Sequence, residues 1–111
     1  MKKEQIHTIC EYILGSDTDE LSELTVKKIA YEFNISYSHL SRSFFKIKRM
    51  KLSDFIFRVR LTKSIQMMYI YPELTICEIA KKVGFESSIY FSKIFKKCTG
   101  VRPSIFRKIQ K

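Results

Sequence analysis

Ser38, Ser41 and Arg42 fall within about one helical turn of one another, and at an offset of 51 the chain sets Ile89, Ser92 and Lys93 in the same order, with Ser88 beside them. Hydroxyls that both donate and accept, a forked guanidinium and an ammonium offer hydrogen bonding and charge pairing rather than bond-making. More cations follow each group: Lys46, Lys48 and Arg49 after the first, Lys96 and Lys97 after the second. Nothing in the rest of the chain is arranged for catalysis either. His7 and His39 are the two histidines, and no carboxylate or cysteine is placed with them as a ligand set or a triad. Cys10, Cys77 and Cys98 are odd in number and form no CxxC pair, a pattern of reduced structural thiols rather than a disulfide framework or zinc site. The acidic run from Ser16 to Glu23 lacks the central glycine and third oxygen ligand of a calcium loop, so it reads as a solvated linker. Gly15, Gly84 and Gly100 are too scattered for a phosphate loop. The expectation is no enzyme, with no catalytic residue, no cofactor and no metal.

The elements that must position the polar groups come in duplicate. Ile29 and Ala30 match Ile79 and Ala80 at an offset of 50, as do Phe33 with Val83 and Asn34 with Gly84. The offset then slips to 51, and Leu40, Phe44, Met50, Ser53 and Phe55 match Phe91, Phe95, Val101, Ser104 and Phe106. One inserted residue in the turn accounts for the slip. Each copy reads as helix, short turn, helix. Val26, Ile29, Ala30 and Phe33 recur at helical spacing, Asn34 suits the positive φ that ends a helix, and Ser36 can cap the next. In the second copy Thr75 is the cap, Gly84 the stop, and a new helix starts near Ser87. That is the helix-turn-helix pattern, found twice in register over 25–47 and 75–98.

Around these pairs, residues 4–14 read as an amphipathic helix with Ile6, Ile9, Cys10, Ile13 and Leu14 on its apolar stripe. Leu52 to about Tyr69 has no Gly or Pro and reads as one helix, about 27 Å long. Tyr71-Pro72 stops it, and Pro103 opens a last short helix. The predicted fold is all-α with about seven helices: a helix-turn-helix lobe over 4–51, a linker helix over 52–70 and a second lobe over 71–111, within one domain over 1–111.

Charge selects the partner class. The net charge is +10, yet residues 1–24 hold two Lys against six acids, whereas residues 25–111 hold nineteen Lys and Arg against five acids. The repeats carry the whole basic excess, which favours a polyanion, and helix-turn-helix pairs favour duplex DNA. No apolar run approaches the length of a membrane span and no signal core precedes a small-residue site, so the expectation is a cytoplasmic protein with no membrane partner. Leu40 with Phe44, and Phe91 with Phe95, are four apart and should face the core. That turns Ser38, Ser41 and Arg42 outward, then Ser88, Ile89, Ser92 and Lys93. Arg42 suits either a guanine edge, read bidentately, or a phosphate. Lys93 leans towards phosphate. Ile89 suits a thymine methyl or partial burial. Lys46, Lys48, Lys96 and Lys97 suit phosphates better than bases. Successive major-groove segments on one face of DNA lie about 34 Å apart, a spacing that a linker of about 27 Å plus the width of its lobes can bridge. One chain then suffices, and the expected state is a monomer.

The stretch from Glu78 to Lys108, EIAKKVGFESSIYFSKIFKKCTGVRPSIFRK, resembles the signature of the AraC/XylS family of bacterial transcription regulators at Ile79-Ala80, Gly84-Phe85, Tyr90-Phe91, Phe95-Lys96, Thr99-Gly100-Val101, Pro103 and Arg107. The first half is similar through Leu40–Lys46, Ser53–Phe55 and Val59–Leu61, so the resemblance covers about 4–108, the extent of the family's DNA-binding domain. It implies two helix-turn-helix lobes joined by a long helix, both recognition helices in the major groove of promoter DNA, and activation through RNA polymerase. It places base reading on the same seven outward residues. It implies no small-molecule ligand in this domain. Two departures stand out. Arg49 replaces the usual Gly after the first recognition helix, which implies a distorted turn or an added phosphate contact. Phe45 replaces the usual Lys, and packing under the linker helix is the expectation for it, an exposed partner contact the other reading. Members of the family occur both alone and behind sensory, dimerisation or phosphoacceptor domains, and Met1 fits either case. A nonspecific architectural DNA binder and a cationic protein-interaction module are the competing readings of the same charge.

Overall fold

In the computed structural model, which describes residues 1–109, eight helices and no strand form among the described residues. They are α1 (Lys3–Leu14), α2 (Thr18–Glu23), α3 (Val26–Glu32), α4 (Tyr37–Lys48), α5 (Leu52–Ile70), α6 (Ile76–Lys82), α7 (Ser88–Thr99) and α8 (Pro103–Ile109). The all-α expectation holds. The helix that the sequence reading missed is α2, where a solvated linker was expected. Asp17 caps it by accepting from the Glu20 amide at 2.8 Å, and the Glu20 carboxylate accepts from the Asp17 amide at 3.1 Å, a reciprocal capping box. Leu21 and Leu24 anchor this short acidic segment by burying their side chains. α1 differs in one position: Ile6, Ile9, Cys10 and Ile13 are buried, but Leu14, at the last position of the helix, is 63% exposed.

The chain divides into two compact units, Met1–Val59 and Arg60–Lys111, so the first residues of α5 belong to one and the rest to the other. In the first unit Ile6, Ile9, Ile13, Leu21, Ile29, Leu40, Phe44, Leu52 and Ile56 make a continuous core. Phe44 meets Phe55 edge to face at 5.6 Å. In the second unit Ile79, Val83, Phe91 and Phe95 are fully buried. Its rings form a chain, with Phe85–Phe91 at 5.0 Å, Phe91–Phe95 at 5.7 Å and Phe95–Phe106 at 5.3 Å. Arg107 ties α8 to the loop after α5 by donating to the Leu74 and Tyr71 carbonyls. Charge-assisted bonds of this type are about twice as strong as neutral ones.

The two turns that set each helix pair are built alike. The Ile35 amide donates to the Ala30 carbonyl at 2.9 Å and the Asn34 amide to Tyr31 at 3.1 Å; Phe85 to Ala80 and Gly84 to Lys81 repeat both bonds at the same lengths. This is the Schellman pattern, and it puts Asn34 at φ 55° and Gly84 at φ 105°. Ser36 and Ser87 then cap α4 and α7 by accepting from His39 and Tyr90 amides. α4 and α7 also end alike. Arg49 (φ 60°) donates its amide to the Phe45 carbonyl at 2.8 Å as Gly100 (φ 89°) does to Lys96 at 2.8 Å. The turn at Arg49 is therefore regular rather than distorted, and its strain is local. A left-handed conformation costs a non-glycine residue roughly 1–2 kcal/mol, and glycine loses about 0.5–1 kcal/mol more chain entropy on folding. Arg49→Gly should therefore raise stability by about 0.5–1 kcal/mol, read as a higher urea midpoint at unchanged slope.

Candidate nucleic-acid interface

The two recognition helices are α4 and α7, each pinned through two aromatic or aliphatic residues four apart. Leu40 and Phe44 on α4, and Phe91 and Phe95 on α7, are all fully buried. That orientation leaves the opposite faces open. Ser38 and Arg42 are exposed and Ser41 is half-buried; Ile89 is 73% exposed, Lys93 is exposed, and Ser88 and Ser92 are half-buried. The structure therefore brings each sequence-derived group together on one surface of its own unit. The three half-buried serines sit at the edges of these faces.

A concavity opens beside each recognition helix, and the two are lined by matching positions. Ser41, Arg42, Phe45, Lys51 and Ser53 line the first; Ser92, Lys93, Lys96, Arg102 and Ser104 line the second, each 51 residues on. Tyr37 in the first stands where Ser88 stands in the second, and Val26 where Ile76 stands. Their volumes are about 550 and 630 Å³, and both are open to solvent. Tyr37, Lys51 and Arg102 are not among the site residues expected from the sequence. The signal was present: Lys51 and Arg102 are both basic and lie between the matched pairs Met50/Val101 and Ser53/Ser104. Phe45 departs from expectation. It is 49% exposed and borders the concavity together with Leu52, so about half of it stays open to solvent rather than packed away under α5.

Electrostatically both surfaces are basic. The Nε of Arg42 donates to the Ser38 carbonyl one turn back at 3.3 Å, a long bond that a competing acceptor can replace. Among the cations expected at phosphates, Lys96 borders the second concavity, while Lys46, Lys48, Arg49 and Lys97 are exposed at the C-terminal ends of α4 and α7. There they also face the negative end of the helix dipole, which favours a cation whether or not a ligand is bound. Two charges of the second unit have structural duties. Arg60 is 8% exposed and donates to the Gly84 carbonyl at 3.3 Å, bracing the α6–α7 turn; burial lowers its pKa. The Glu78 carboxyl lies below its usual value, chiefly because it accepts from the Thr75 amide in the box that caps α6. Of the two histidines, His39 is exposed on α4, and His7 pairs with Glu11 on α1. Among the described residues no group of three or more His, Cys, Asp or Glu is gathered as a metal site, and no helix is long and apolar enough to cross a membrane.

These features agree with what the chain is similar to. The profile of a helix-turn-helix domain family matches residues 20–109. The Msm operon regulatory protein of Streptococcus mutans is 41% identical over 87 residues, which cover 78% of this chain and 31% of that protein. The chain spans about a third of the length of this and other curated relatives it matches. Among solved structures, the C-terminal domain of AraT, a response regulator from Geobacillus stearothermophilus, superposes with a TM-score of 0.79 at 30% identity, covering 94% of this chain and 84% of that one. The DNA-binding domain of AdpA, solved with a target DNA, shares the fold at a TM-score of 0.77 and 15% identity, over 94% of this chain and 90% of that one. With two capped, matched helix-turn-helix pairs and a family profile over most of its length, this chain belongs to the AraC family of DNA-binding transcription regulators.

Proposed function

We propose that the chain is a sequence-specific regulator that acts as an activator, placing α4 and α7 in adjacent major-groove segments of promoter DNA. The observation that carries this reading is the pair of matched outward faces, each held in register by two fully buried residues on its own helix. A helix face fixed that way is presented to a base edge without rearranging the backbone, so binding has only the side chains themselves to order. In this reading Ser38, Ser41 and Arg42 address one segment and Ser88, Ile89, Ser92 and Lys93 the next. Ile89 meets a thymine methyl, which suits an apolar side chain left 73% exposed. Lys46, Lys48, Arg49, Lys96 and Lys97 neutralise phosphates, and RNA polymerase is the protein partner. The two faces differ in composition, so the target need not be palindromic.

Two substitutions test the division of labour on a duplex selected for tight binding. Arg42→Ala should lose about 1–3 kcal/mol of discrimination at one base pair and leave preferences elsewhere intact. Lys96→Ala should weaken all sequences alike and make the log-log salt slope shallower by about 0.9. The reverse pattern, a uniform loss for Arg42→Ala and a positional one for Lys96→Ala, overturns the assignments. Activation is tested by transcription from a promoter carrying the selected site: a rise on adding the protein supports it, a fall makes the chain a repressor.

A further inference from the structure

We infer that Phe45, flanked by Tyr37, is a specificity-determining residue that recognises a thymine methyl in the DNA segment facing the first unit. The inference deepens the DNA-binding reading above and rests on it. Tyr37, Ser41 and Phe45 are four residues apart and form one stripe along α4, beside Arg42, and all four border the same concavity. Phe45 is 49% and Tyr37 52% exposed, so two large rings on one basic surface are left half in water. The matching stripe on α7 is Ser88, Ser92 and Lys96. Where the second unit has a hydroxyl and an ammonium, the first has two rings.

Charge complementarity names the occupant. Arg42 and Lys51 border the concavity with the rings, so a polyanion is drawn to the same surface. In the major groove of DNA the apolar group displayed by a base edge is the C5 methyl of thymine, and Phe is suited to contact it. An ammonium at Phe45 would add a phosphate contact, as Lys96 does in the second unit. A ring exchanges that sequence-blind attraction for a preference. The first unit thereby gains discrimination at the expense of affinity, and the second keeps the stronger anion contact.

The test uses the full chain and a selected duplex in which each thymine, one at a time, is replaced by deoxyuridine, which lacks only the methyl. The base pair at which Arg42→Ala relaxes preference marks the segment facing the first unit. One thymine near that pair should weaken the wild type about fivefold on losing its methyl, and the same change should cost Phe45→Ala less than about twofold, whereas Phe45→Leu should keep most of the effect. Thermal melting of both variants should match the wild type, since the ring is half-exposed. If Phe45→Ala weakens binding but every deoxyuridine step costs it as much as the wild type, the ring contacts sugar and the inference fails. If Phe45→Ala binds as the wild type does but loses promoter activation, the ring meets a protein partner and the inference fails in that way. A wild type that prefers no selected duplex over random DNA overturns the sequence-specific reading itself, a result readily told apart from the other two.

Discussion

Phe95→Ala should destabilise the second unit by about 3–5 kcal/mol, the range for removing a buried aromatic ring from a packed core. Phe95 is fully buried on α7 and lies between Phe91 at 5.7 Å and Phe106 at 5.3 Å, so its ring joins the recognition helix to α8. Its loss leaves a cavity between the Phe91 and Phe106 rings, and both aromatic pairs are broken with it. Small domains are stable by only about 5–15 kcal/mol in all, so the variant should lose much of its helical signal in modest urea and bind DNA weakly. Phe45→Ala is the control: the same chemical change on α4, but at a half-exposed site, should move the midpoint little. Urea denaturation followed by circular dichroism measures both. Equal costs at the two positions would mean that α4 and α7 are not oriented as described.

Affinity for the selected duplex should fall steeply with salt. With Lys46, Lys48, Arg49, Lys96 and Lys97 each neutralising one phosphate, the slope of log K against log salt is about −4.5, and raising salt fourfold costs roughly 500-fold in affinity. The charge split gives the same direction, since residues 25–111 hold nineteen Lys and Arg against five acids. Removing Lys46 and Lys97 together should bring the slope to about −2.7. A slope near zero would point instead to a cationic protein-interaction module.

Much of this architecture is legible in the sequence because its signals are local. Ser36 and Thr75 cap the helices expected of them, α7 starts beside Ser87 as expected, and Asn34 and Gly84 take the positive φ that their turns require. The buried pairs Leu40/Phe44 and Phe91/Phe95 follow from spacing alone. What escaped was set by tertiary neighbours. α2 is short and acidic, and burial of Leu21 and Leu24 makes it worthwhile; its capping box was readable in Asp17 and Glu20, but the charge around them masked it. Lys51 and Arg102 lie beyond the recognition helices in the chain, so no periodicity within one helix brings them to its face. Phe45 escaped for a related reason. Packing under the linker helix is the expectation for it, yet the face of α4 that it occupies is fixed by Leu40 and Phe44, which turn it to the concavity.

On the proposed function the two outward faces read sequence and do not merely hold a polyanion. The most direct measurement is selection of tightly bound duplexes from a random pool, followed by competition of the selected duplex against random DNA at fixed salt. The expected result is two short, unlike preferred segments about one helical turn apart and at least about a thousandfold preference over random duplex, as specific binders show. Equal competition by selected and random duplexes would contradict it and leave a nonspecific DNA binder.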